Sequence, residues 1–93
     1  MGEAMAVDES VLEGYVGVYE LNPGHTITVT RSGRRLYMRK TGRPMFEYSA
    51  ESLTEFFCVV GDDRVTFVKD PSGAVTRVVL YQNGFEFEAK RIM

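Results

Sequence analysis

Tryptophan is absent, cysteine and histidine occur once each, and proline occurs three times in 93 residues. Each shortage closes off a class of chemistry. A single cysteine, Cys58, leaves no internal disulfide and no cysteine-based zinc site. It sits in the apolar run Phe56-Phe57-Cys58-Val59-Val60, where a thiol serves as a small core hydrophobe. The single histidine, His25, follows Pro23-Gly24 and reads as a turn or strand-edge residue. No second histidine is there to build a metal cluster or a His-dependent triad. No apolar run approaches the roughly 20 residues that span a bilayer. The start, Met1 to Val7, has neither the basic segment nor the apolar stretch of a signal peptide, so the chain as it stands reads as cytoplasmic, with no membrane partner.

What is present is ordinary for one small folded unit. Hydrophobic residues make up 44% and charged residues 26%, and a chain of this length holds one core. The net charge of -2 is unevenly spread. Residues 1–20 carry Glu3, Asp8, Glu9, Glu13 and Glu20 with no base, whereas 31–43 carry Arg31, Arg34, Arg35, Arg39, Lys40 and Arg43 with no acid. The basic stretch is either an anion-binding patch or a solvated hairpin whose arginines pair with the acidic lead-in. An acidic protein favours the second reading, and nucleic acid is not an expected partner.

Turn signals punctuate the chain at near-regular spacing: Asn22-Pro23-Gly24, Ser32-Gly33, Thr41-Gly42-Arg43-Pro44, Glu51-Ser52, Gly61-Asp62-Asp63, Asp70-Pro71-Ser72-Gly73 and Asn83-Gly84. The last is the strongest, because a type I′ hairpin needs positive φ at both central residues. Between the signals lie runs rich in Val, Ile, Thr, Tyr and Phe with period-2 alternation, such as Phe85, Phe87 and Ala89 against Glu86, Glu88 and Lys90. This predicts strands at about 15–21, 25–31, 34–40, 44–50, 55–61, 64–69, 74–82 and 85–91. Asp8 to Gly14 reads as one or two helical turns capping one end, in a domain of residues 8–93 behind a frayed lead-in of residues 1–7. Short connections make sequence neighbours spatial neighbours. The predicted fold is all-β: an eight-stranded antiparallel up-and-down barrel, filled rather than hollow, with a two-sheet sandwich or half-open barrel as the alternative.

No phosphate loop, His-Glu-x-x-His or calcium loop occurs, so no catalytic residue, metal or cofactor is expected. Glu86 with Glu88, and Asp62 with Asp63, read as solvated surface. The runs Phe56–Val60 and Val78–Tyr81 are apolar on both faces, which predicts that their outer wall is covered by the N-terminal segment or by a partner, the latter through Phe57, Val59, Val79 and Tyr81. A competing expectation is a small carrier with an apolar ligand at one barrel mouth, contacted by Tyr19, Tyr37 and Tyr48.

Several motifs fall in a familiar order: Tyr15-Val16-Gly17-Val18-Tyr19, Ile27 to Thr30, Leu36-Tyr37-Met38 and Thr41-Gly42-Arg43-Pro44. Phe56-Phe57, Val65-Thr66-Phe67, Asp70 to Val75 and Ala89-Lys90-Arg91 follow. Together, over residues 12–92, they resemble the lipocalin-like β-barrel domain found C-terminal to serine β-lactamase-like hydrolases of bacteria, the penicillin-binding and D-aminopeptidase-like family. In that family the Ser-x-x-Lys nucleophile lies in the preceding domain, and this chain has no Ser-x-x-Lys. Tyr81-Gln82-Asn83 matches the family's Tyr-x-Asn element but runs into a turn with no nucleophile to serve. The resemblance therefore implies an accessory role: packing on a hydrolase domain, or mediating self-association.

Overall fold

The computed structural model describes residues 5–93. A short helix, α1 (Glu9–Glu13), precedes eight strands: β1 (Gly17–Asn22), β2 (His25–Ser32), β3 (Arg35–Lys40), β4 (Met45–Ala50), β5 (Glu55–Cys58), β6 (Arg64–Lys69), β7 (Val75–Gln82) and β8 (Phe85–Arg91). They pair in sequence order, all antiparallel, and β8 returns to β1 to close the barrel. The expected all-β barrel with its helical cap is what forms. Asn83 (φ 53°) and Gly84 (φ 80°) both take the left-handed conformation that a two-residue hairpin requires between β7 and β8. No helix among the described residues is long and apolar enough to cross a membrane.

Alternation fills the interior. Ile27, Val29, Leu36, Met38, Tyr48, Phe56, Val65, Phe67, Val78, Leu80 and Ala89 are all buried, each flanked along its strand by more exposed residues or by a turn, except in the apolar run of β7. At one end of the barrel, the base, the chain supplies its own plug. Leu12 of α1 is 1% exposed and Tyr15 is fully buried. Tyr15 stacks on Phe67 with ring centroids 4.1 Å apart and meets Phe56 edge-on at 5.7 Å. Its hydroxyl donates to the Leu53 carbonyl, and its own carbonyl accepts from the Tyr19 hydroxyl at 2.9 Å. Tyr15 thus belongs to the cap and does not begin β1, although the sequence places it in the first strand.

Two other boundaries depart from expectation. β5 stops at Cys58, because Val59 and Val60 turn away into solvent. Of the lead-in read as frayed, residues 1–4 lie outside the described residues, while Met5 donates its backbone N–H to Ala50 at 3.0 Å and Val7 is buried in the core. An apolar residue at Val7 has a core to enter once α1 is docked over the base, which overrides the tendency of a terminus to fray.

The basic hairpin is tied to the acidic segment, as its charges suggest. Arg31 Nε lies 2.6 Å from Glu13 and Arg31 Nη1 lies 3.2 Å from Glu9, so β2 holds α1 in place. Arg34, Arg35, Arg39 and Arg43 are exposed.

Two predictions follow from the plug. Phe67→Ala removes the ring beneath Tyr15 and should cost about 3–5 kcal/mol, whereas Tyr15→Phe, losing only the hydroxyl, should cost about 1 kcal/mol. Urea melts read both, with outward-facing Tyr37→Phe as a control that moves by less than about 0.5 kcal/mol. Burial also raises the Tyr15 and Tyr19 phenols, Tyr19 to about 12, with Arg91 opposing and Tyr15 adding to the burial effect there. An unfolded tyrosine ionises near about 10, so the stability these phenols contribute is intact below that pH. It should be lost as pH climbs towards about 12. Alkaline unfolding followed by circular dichroism, less steep in Tyr19→Phe, checks this.

Candidate functional site

The two ends of the barrel are built differently. At the base, α1 and Tyr15 seal the interior, and Arg91 pins the closure by donating to the carbonyls of Gly14 (3.0 Å) and Val16 (2.7 Å). At the opposite end, the mouth, no helix lies over the opening. Side chains from four sequence regions meet there instead.

Asp63, in the turn between β5 and β6, is the centre of this group. Its Oδ2 accepts from Lys40 Nζ at 2.8 Å, from the Tyr48 hydroxyl at 3.5 Å and from Gln82 Nε2 at 3.5 Å. The Asp63 carbonyl accepts from Cys58 N at 2.8 Å, which fixes the turn. Lys40 and Gln82 point inward because they pair with Ile27 and Phe85 on the inner faces of β2 and β8. A carboxylate with three donors from β3, β4 and β7 laces the mouth together. Burial raises the Tyr48 phenol, and the charge of Asp63 and the neighbouring Cys58 raise it further. A cavity of about 130 Å³ lies at this network, lined in part by Met38, Arg43 and Phe46.

Beside it, β1 and β8 part company. They pair at Tyr19–Arg91 and Glu20–Lys90, and Val18 exchanges backbone bonds with Ile92 and Met93. Beyond Glu20 the register of β1 shifts and Asn22-Pro23-Gly24 turns the chain towards β2. β8 runs on without it. The result is an open notch of about 450 Å³, walled by Leu21 and Asn22 on one side and by Glu86, Phe87 and Glu88 on the other, with Lys40, Leu80 and Gln82 between them. Phe85 (66% exposed) and Phe87 (45%) sit at inward-facing positions of β8 yet remain open to solvent.

The predicted ligand contacts Tyr19, Tyr37 and Tyr48 do not come together. Tyr19 is fully buried against the base, and Tyr48 alone reaches the mouth. Tyr37 lies on the outer wall, because Leu36 and Met38 on either side of it face in. The cavity at the Asp63 network, about 130 Å³, is below the ~300–1,000 Å³ typical of small-molecule sites, and the larger notch beside it is open to solvent and contains none of the three tyrosines.

The predicted contact wall is likewise broken up. Val79 is only 8% exposed although it faces outward, since it lies between Thr66 and Glu88 in the ladder and beside the Arg77–Glu88 ion pair (2.9 Å). Phe57 is half-buried, with Arg64 opposite it. Val59 and Tyr81 are exposed, but the first is in a turn and the second is flanked by Arg64 and Glu86. The more continuous exposed apolar surface, Phe85 and Phe87, was hidden in sequence behind a regular alternation that reads as ordinary core. Among the described residues no group of three His, Cys, Asp or Glu side chains is placed to hold a metal ion.

Comparison with known proteins adds the following. The profile of the family described as "Domain of unknown function (DUF3471)" matches residues 3–93. A curated relative, "Penicillin-binding protein 4*" of Bacillus subtilis (strain 168), is 34% identical over 86 residues. That match takes in 92% of this chain and 19% of the relative, so the chain spans about a fifth of the relative's length.

The mouth network gives a direct test. Asp63→Asn removes the charge that helps hold the Tyr48 proton, so the Tyr48 phenol should titrate at lower pH, seen as an earlier phenolate absorbance rise. It also leaves Lys40 without its ion-pair partner and should cost about 1 kcal/mol in a urea melt, with faster amide exchange in residues 59–63.

Proposed function

The chain belongs to the DUF3471 family, and from that premise we propose that it is a non-catalytic accessory domain associated with serine β-lactamase-like hydrolases. The observation that carries this reading is the asymmetry of the match. Nearly all of this chain corresponds to a small fraction of a protein named for binding penicillin. A nucleophile, a base and an oxyanion site need more converging groups than this barrel presents. At the mouth the amine of Lys40, the phenol of Tyr48 and the amide of Gln82 are all committed to the Asp63 carboxylate, with the Arg43 guanidinium beside them. The Tyr81-Gln82-Asn83 element has a structural role that accounts for it: Tyr81 faces out, Gln82 binds Asp63, and Asn83 occupies the left-handed turn position.

A domain of this kind contributes by packing on its neighbour and shaping access to the neighbour's site. The folded barrel is suited to that, because its plugged base is well packed and its unpaired features lie at the surface.

The test uses the Bacillus relative. Deleting its matching segment should lower the thermal stability of the remaining hydrolase or alter its substrate range, and grafting the present chain in its place should restore much of the loss. The purified barrel should neither be labelled by a fluorescent penicillin nor turn over a chromogenic β-lactam. Covalent labelling of the isolated barrel overturns the non-catalytic part of the reading. A deletion without effect on the hydrolase overturns the accessory part.

A further inference from the structure

We propose that the seam between β1 and β8 is a strand-addition site: the free edge of Phe85–Glu88 pairs with an extended segment of a partner protein that alternates apolar and basic residues. The inference rests on the reading of this chain as an interaction domain, and gives that domain its docking surface.

Three observations converge on it. The first is backbone. β8 is paired along its whole length with β7, from Gln82–Phe85 to Arg77–Lys90. On its other side its register with β1 covers Lys90 and Arg91. Residues 85–89 therefore have no strand partner there, and an unpaired edge is a template for another strand. Where this ladder ends, β1 shifts its register against β2 between Glu20 and Asn22, and the chain then turns at Pro23.

The second is side-chain. An incoming strand would set alternate residues inward over the notch, where Leu21, Leu80 and Phe87 offer apolar contact beside the polar His25, Lys40 and Gln82. Phe85 and Phe87 occupy inward positions whose burial the barrel leaves unfinished, and an added strand would complete it.

The third is charge. The outward residues of the free edge are Glu86 and Glu88, and Glu20 closes the row on β1. The last formed rung, Glu20–Lys90, already joins an acid to a base across the seam. Continuing that pattern places a basic residue of the added strand opposite Glu86, while Glu88 is already held by Arg77 of β7 at 2.9 Å. The same charges disfavour a second copy of this chain. Antiparallel pairing of two identical edges that keeps inner faces aligned puts Glu86 against Glu86 or Glu88, and like charges directly opposite are destabilising.

The probe is a capped seven-residue peptide, Thr-Val-Lys-Val-Lys-Val-Thr, titrated into the isotope-labelled chain. Saturable shifts are expected at Phe85–Ala89 and Leu21–Asn22, with amide exchange along the edge slowed about tenfold. Glu86→Lys, an exposed change that leaves the fold intact, should weaken binding about five- to tenfold and turn the preference towards the peptide with Glu in place of Lys. The same peptide N-methylated at every residue should not bind, since its charge is unchanged but its backbone cannot pair. Three results overturn the proposal: no saturation up to about 1 mM, equal binding of the N-methylated peptide, or a concentration-dependent dimer that already protects the edge without peptide. If the edge is inert while the barrel still supports the hydrolase in the graft, the seam proposal fails and the accessory reading stands. If the peptide binds and the graft has no effect, the reverse holds.

Discussion

The barrel depends on the stacking of Tyr15 over Phe67. That contact joins the only helical segment of the described chain to the middle of the sheet, with ring centroids 4.1 Å apart and Phe56 packed edge-on against both. A barrel of eight short strands has two open ends, and each exposes inward apolar side chains to water unless something covers it. Tyr15 covers one. Its ring fills the base, its hydroxyl satisfies the Leu53 carbonyl, and its carbonyl satisfies the Tyr19 hydroxyl. No polar atom of the plug is left to compete with the packing, so the aromatic cluster adds its full burial to the core.

With one end sealed, the other can be irregular. At the base, β1 and β8 are held by their two paired rungs, by the bonds of Val18 to Ile92 and Met93, and by the Arg91 guanidinium reaching to Gly14 and Val16. Gly17 makes this approach possible: a side chain there would collide with the Met93 carbonyl and crowd Arg91. At the mouth the same two strands separate. The Asp63 network replaces strand pairing as the tie across the opening, linking β3, β4 and β7 through one carboxylate oxygen. Polar lacing of this kind is weaker than packed hydrophobes and open to water. The mouth is accordingly the less tightly packed of the two ends.

How much of this could be read from the sequence follows from how far each interaction reaches along the chain. Period-2 alternation and turn chemistry are local, and they located all eight strands. Asn83-Gly84 formed the turn its side chains demand, and the opposite charges of Glu13 and Arg31 met. The misreadings arise where distant residues decide. Tyr15 continues the alternation of Gly17 and Tyr19 and so looks like strand; only the proximity of Phe67, far along the chain, makes it a plug. Asp63 looked like a solvated turn residue, because nothing local shows Lys40, Tyr48 and Gln82 converging on it. Tyr37 and Val79 depart from their pattern in opposite directions: Tyr37 faces out although the pattern allows it at the mouth, and Val79 is covered by its neighbours although it lies on the outer wall. The β1–β8 seam was the least legible of all. Every other strand pair is set by the turn between its members, whereas the first and last strands share no turn, and their register is fixed by closure alone.

That difference bears on why a barrel with a well-packed base can still carry a recognition surface. In most of the seven turn-linked pairs the backbone of each strand is occupied by its neighbour, although the short β5 covers only Tyr48–Ala50 of β4 and Arg64–Thr66 of β6. At the seam, beyond the Glu20–Lys90 rung, backbone donors and acceptors of β8 are free next to two phenylalanines whose burial is incomplete. Leaving both exposed costs stability that a fully closed barrel would keep. The Arg77–Glu88 ion pair and the solvent-facing Glu86 keep the exposed edge charged, which limits indiscriminate edge-to-edge association. An edge that is unpaired, with phenylalanines at its inward positions and Glu86 on its outer face, is the feature on which the proposed discrimination rests. The rigid base and the unfinished seam are thus two parts of one design, the first fixing the geometry that the second presents.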